Sequence, residues 1–135
     1  MERNYVMFRT GLFLDEQADD ELGQWSLGED CARWLHAKLL TVEGVVPWVE
    51  PMEEDWGWMF GVRSHGVSFW IRIWLGLREH QTWIIGIEPT LNLFRVFRRT
   101  RSRMAKAHLC DAIASALASS PGIGGCRWFD HYPDD

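Results

Sequence analysis

The side chains able to do chemistry are scattered along this sequence, and where they cluster their spacing does not make a catalytic set. Glu53-Glu54-Asp55, directly before Trp56-Gly57-Trp58, could supply carboxylates for proton transfer or for a hard cation. Adjacent residues in a turn point in different directions, however, and no histidine lies at ligand spacing. The run therefore reads as a solvated turn, or as an acidic contact for a basic partner together with Asp15, Glu16, Asp19, Asp20 and Glu21. His36, His65, His80, His108 and His131 are isolated from one another. His108 and Asp111, three apart on a helix, read as a surface pair. Asp130-His131 with Asp134-Asp135 is a weak candidate for a divalent ion. Gly122-Ile123-Gly124-Gly125 lacks the strand-to-helix context and the lysine of a phosphate loop, so it reads as a turn. No GxSxG elbow accompanies the serines. No catalytic residue, metal site or cofactor is expected, and a non-enzymatic role is favoured.

Arg95, Arg98, Arg99, Arg101, Arg103 and Lys106 form the one basic run, at or before the start of a helix. Positive charge there opposes the helix dipole, so folding alone does not favour it. A helix N-terminus with arginines suits an anion. The competing reading pairs these side chains with the acidic first half of the chain. Residues 1–55 hold 13 acids and 4 bases, against 6 acids and 10 bases in the remainder. The overall charge of −5 argues against general affinity for nucleic acid.

The nine tryptophans offer a different chemistry, that of recognition. Six of them fall between Trp48 and Trp83, in a stretch that reads as strands. What they can do depends on the elements that hold them. Tyr5 to Leu14 is extended in character, with Phe8, Leu12 and Leu14 on one side and Tyr5, Met7 and Phe13 on the other. Ser26 is a candidate N-cap for a helix running to about Leu40, in which Cys31, Trp34, Leu35 and Leu39 share a face. Val45–Glu50 is a short strand, placed at a sheet edge by Pro47. Strands follow at Trp56–Ser64, Val67–Leu75 and Gln81–Glu88. Thr100 or Ser102 caps a second helix ending near Ser119, with Leu109, Ile113 and Leu117 four apart. Arg127–Phe129 is a last strand. The order β-α-β-β-β-β-α-β implies one α+β domain over residues 1–135. Its antiparallel sheet has about five to six strands, with both helices packed on one face.

A two-residue turn at His65-Gly66 registers the central hairpin, because Gly supplies the positive φ that such turns need. Val62 then faces Phe69, Phe60 faces Ile71, Trp58 faces Ile73 and Trp56 faces Leu75, an apolar core face. The other face pairs Arg63 with Ser68, Gly61 with Trp70, Met59 with Arg72 and Gly57 with Trp74. Glycines opposite indoles suggest aromatic side chains laid over bare backbone. Carried across Gly76–His80, the register sets Ile73 beside Trp83 and Ile71 beside Ile85. It also sets Gly86 beside Trp70, Ile84 beside Arg72 and Glu88 beyond Ser68. The outer face thus presents Trp70, Arg72 and Trp74 in a row. Met59, Arg63 and Glu88 lie around them, and Arg72 is able to lie over an indole.

Such a face is either covered or binds something. The N-terminal strand, the 89–100 segment or a second subunit could cover it. Otherwise it takes a protein partner, or roofs into a pocket for a small molecule or anion with Arg72, Arg63 and Glu88 as polar groups.

The apolar fraction of 47% is that of an ordinary globular protein. No apolar run is long enough to span a membrane, and the start does not read as a secretory leader. Three widely spaced cysteines without a CxxC read as free buried thiols in a reducing cytoplasm. Gly28-Glu29-Asp30…Trp34-Leu35, Glu54-Asp55-Trp56-Gly57-Trp58 and Arg127-Trp128 together resemble small bacterial α+β proteins. In size and acidity the chain is similar to immunity proteins of bacterial toxin systems. That resemblance rests on class features and implies no particular functional residue. The expected function is a cytoplasmic protein-binding module of the immunity or adaptor kind, with a protein partner or a second copy as its ligand.

Overall fold

The computed structural model describes residues 2–13, 28–76, 81–90 and 99–133. Its elements are β1 (Tyr5–Arg9), α1 (Glu29–Leu39), β2 (Val45–Glu54), β3 (Gly57–Ser64), β4 (Val67–Leu75), β5 (Thr82–Pro89), α2 (Arg99–Ala118) and β6 (Gly124–Phe129). The strands form one antiparallel sheet in the order β2-β3-β4-β5-β1-β6. Both helices bury their apolar stripes in a single core against one face of it. This is the α+β arrangement that the sequence implies.

Alternation of side chains makes that core. Trp58, Phe60 and Val62 of β3, Phe69, Ile71 and Ile73 of β4, Trp83, Ile85 and Ile87 of β5, and Val6 and Phe8 of β1 are all buried there. From above, α1 contributes Cys31, Ala32, Leu35 and Leu39, and α2 contributes Leu109, Ile113 and Leu117. At roughly 1.5–3 kcal/mol for each large side chain removed from water, this layer dominates the stability of the fold.

The turn at His65-Gly66 forms as expected, with φ of 49° and 80° at its two residues, and it fixes Ser64 opposite Val67. Arg101 of α2 donates to the His65 carbonyl at 3.1 Å, tying the helix to the turn. Ser64 donates to the buried Ala105 carbonyl at 2.9 Å, one strand end further in. Of the basic run, Lys106 pairs with Glu2 from the acidic first half as charge balance suggests, while Arg3 pairs with Asp111. His108 contacts the Glu43 carbonyl at 2.8 Å rather than Asp111. Arg95 and Arg98 lie outside the described residues, as do the side chain of Arg99, the acidic segment from Asp15 to Glu21, and Ser26.

Several local expectations need correcting. The β4–β5 register is shifted by two, with Ile73 opposite Ile85 and Arg72 opposite Gly86. The hairpin closes further along, at Gly76 N–H to Thr82 O (2.8 Å), and a shift of two leaves every side chain on its expected face. Gly28, with φ of 125°, occupies the N-cap of α1. Thr100 and Ser102 lie inside α2 and do not cap it. Strand β1 ends at Arg9; the chain then bends at Gly11, which turns Phe13 into the core against Trp34 and Trp83 and leaves Leu12 exposed. Cys31 and Cys110 are buried free thiols, whereas Cys126 on the edge strand β6 is exposed. No helix among the described residues is long and apolar enough to cross a membrane.

Candidate functional site

The sheet face opposite the helices carries two aromatic groups joined by an ion pair. The first centres on β2 and β4. Trp48 reaches over β3 to Trp70, with ring centroids 4.7 Å apart. It passes directly over Gly61, whose bare Cα leaves the room, since a Cβ there would stand 2.6 Å from the indole Cε3. Arg63 stacks on Trp48 at 5.9 Å while its Nε donates to Ser68 Oγ at 3.2 Å.

The second group surrounds Trp74. Trp56 packs on it at 5.0 Å, and Tyr5 and Tyr132 close the other sides at 6.2 and 5.4 Å. Beneath Trp74 lies Gly86, where a Cβ would come within 2.8 Å of the indole. Each group thus uses one strand glycine to admit an indole close to the backbone. This is the covering of bare backbone that opposed glycines and tryptophans suggest. The partners differ, however: Gly61 is covered by Trp48 and Gly86 by Trp74.

Arg72 joins the two groups. Its Nη2 is 3.1 Å from a Glu88 carboxylate oxygen, and its guanidinium carbon lies 5.6 Å from the centroid of Trp56. The Arg72 Nε is shielded from water and finds no acceptor among the described residues. Met59, opposite Arg72 and buried, forms the floor at the centre. All six residues singled out by sequence lie on this face: Trp70, Arg72 and Trp74 half-buried, Met59 buried, Arg63 and Glu88 exposed.

Sequence reasoning missed Trp48, Trp56, Tyr5 and Tyr132. Trp56 was expected in the core opposite Leu75. It instead crosses to the outer face because β3 begins only at Gly57, where the Ile73 carbonyl oxygen stands 2.2 Å from the place a Cβ would occupy. Trp48 arrives through register shifts in β2 on both sides of Val49. The two prolines of β2 signal such irregularity, but not its direction. Tyr5 joins through β1–β5 pairing, with Tyr5 opposite Gly86.

As chemistry, the face offers partly exposed π surface, the ion-paired Arg72 and the exposed Arg63. Among the described residues no three His, Cys, Asp or Glu side chains come together as metal ligands. The thiols of Cys31 and Cys110 are pushed up chiefly by burial, which disfavours the thiolate. A scan against protein-family models, a search of curated proteins and a search of solved structures each found no match to this chain.

Proposed function

We propose that the protein is a non-enzymatic protein-binding module that acts through the outer face of its sheet, as an adaptor or an immunity protein does. The supporting observation is the arrangement of the indoles. With centroids 4.7 and 5.0 Å apart, Trp48 and Trp70, and Trp56 and Trp74, fill the space between themselves. Tilted against each other by 42° and 36°, the paired rings form a filled aromatic patch, which suits a protein surface. A ligand pocket needs rings set apart with a cavity between them, so the small-molecule or anion reading has less to rest on.

Large aromatic side chains stiffened by mutual contact lose little entropy on binding, and Trp, Tyr and Arg are the residue types that dominate interface energetics. Three free thiols and no disulfide among them suit a reducing compartment such as the cytoplasm. Capture from native lysate tests the proposal. Replacing Trp70 and Trp74 together by alanine is expected to abolish association while circular dichroism and the unfolding transition still report a folded chain. Association unchanged by both substitutions removes the assignment.

A further inference from the structure

We infer that the occupant of this face is a protein surface carrying aspartate or glutamate side chains; the inference rests on the reading of the face as a binding surface. Residues opposite one another in antiparallel strands share a face. Followed from β2 to β6, the pairs put Glu54, Arg63, Arg72, Glu88, Arg9 and Arg127 on the side of the indoles. Four arginines against two glutamates give this face a positive excess, on a chain whose net charge is −5. The other carboxylates nearby belong to the β2 edge. Glu53 stands opposite core-facing Trp58, Glu50 falls in the register shift between Val49 and Met52, and Asp55 lies in the turn after β2. Arg9 on β1 is four strands from that edge, about 19 Å, roughly twice the screening length at physiological salt. Arg127 on β6 is one strand further, and Arg63 stands opposite Val46, at the far end of β2 from Glu54.

Arg72 is answered by Glu88. Arg9, Arg63 and Arg127 are exposed, and none of them meets a carboxylate among the described residues. The contacts that Arg63 does make, to the Ser68 hydroxyl and the Trp48 ring, are with neutral groups, as is that of Arg127 with Phe129 at 5.5 Å. They orient each guanidinium and leave its charge uncancelled. Each aromatic group therefore has an unanswered arginine at its flank: Arg63 beside Trp48 and Trp70, and Arg127 in line with Trp74 through Met7 and Ile84. A planar guanidinium held by a ring offers its fork to a carboxylate, so the complement is an acidic side chain set among apolar ones. Nucleic acid fits less well. Bases stack on free rings, whereas these indoles are packed against one another, and the net charge of −5 repels a polyphosphate. A second copy fits less well too, because a two-fold axis sets arginine-bearing face on arginine-bearing face.

Selection of random dodecapeptides displayed on beads, with the whole chain as bait, tests this. Enriched peptides are expected to combine aspartate or glutamate with an aromatic or aliphatic residue, and to be lost with Trp70→Ala/Trp74→Ala. Their affinity is expected to fall roughly tenfold with Arg9→Gln/Arg63→Gln/Arg127→Gln, all exposed positions, and to fall likewise when salt rises from about 0.05 M to about 0.5 M. Enrichment of neutral or basic peptides, or indifference to the glutamine variant, overturns the charge assignment while the binding face stands. No enrichment, or peptides indifferent to the tryptophans, overturns both. A random single-stranded oligonucleotide held more tightly than the peptides, and lost with the tryptophan variant, overturns the protein occupant in favour of nucleic acid. Sedimentation showing a dimer that the tryptophan variant dissociates overturns it in favour of a second copy.

Discussion

Trp48 lies across the bare backbone of Gly61, close enough that a methyl group on Gly61 would stand 2.6 Å from its ring. A rigid indole cannot yield as the tip of a flexible side chain can. Gly61→Ala is therefore expected to cost about 1–3 kcal/mol as overpacking, read by urea unfolding. In a Trp48→Ala background the same change should cost little. The coupling energy of that double-mutant cycle measures the contact directly, and a coupling near zero would show that the indole does not sit there in solution.

Gly57 is held by a different constraint. The Ile73 carbonyl oxygen occupies the site of any Cβ at 2.2 Å, and backbone cannot move aside without breaking the β3–β4 ladder. Gly57→Ala should lower stability by about 3 kcal/mol or more. It should also change the near-ultraviolet circular dichroism of Trp56, whose position depends on that crossing. A variant as stable as the parent would contradict the placement of Trp56 on the outer face.

Much of this was legible from side-chain period alone. The core strands read correctly because a two-residue turn at His65-Gly66 admits one register, and parity then assigns each residue to a face. Parity also explains why the β4–β5 error of two left the site residues where they were expected. What period cannot carry is a break in it. Trp56 precedes the point where β3 begins, Trp48 follows a register shift, and Phe13 lies past a bend at Gly11. Each moved to the face opposite its expectation, or onto a surface no expectation covered. Tyr5 and Tyr132 depend on pairings between strands far apart in sequence, which local pattern does not encode.

His36 is buried in α1, stacked edge-on against Phe60 at 5.1 Å, and its Nε2 has no hydrogen-bond partner among the described residues. A buried polar atom without a partner costs more than it contributes. His36→Leu should therefore raise stability, by about 1 kcal/mol, seen as a higher Tm. A clear loss of stability would mean that the ring supplies packing that leucine cannot replace.

The three cysteines should respond differently to a thiol reagent. Cys126 is exposed and labels in the native protein, while Cys31 and Cys110 label only on unfolding. Burial raises the Cys126 thiol somewhat, so its rate should lie below that of a free cysteine at neutral pH and climb as pH rises. Rapid native labelling of all three, followed by mass spectrometry, would contradict the packing of α1 and α2 on the sheet.

The central claim is that the outer aromatic face is a surface for a protein partner, and affinity capture from native lysate tests it most directly. The tagged chain is compared with Trp70→Ala/Trp74→Ala, and with Trp48→Ser as a second variant at a more exposed position; mass spectrometry reads what each retains. The account predicts one protein held at stoichiometric level by the parent, lost with the double variant and reduced with Trp48→Ser. The same protein held equally by all three, or nothing held by the parent, would contradict it.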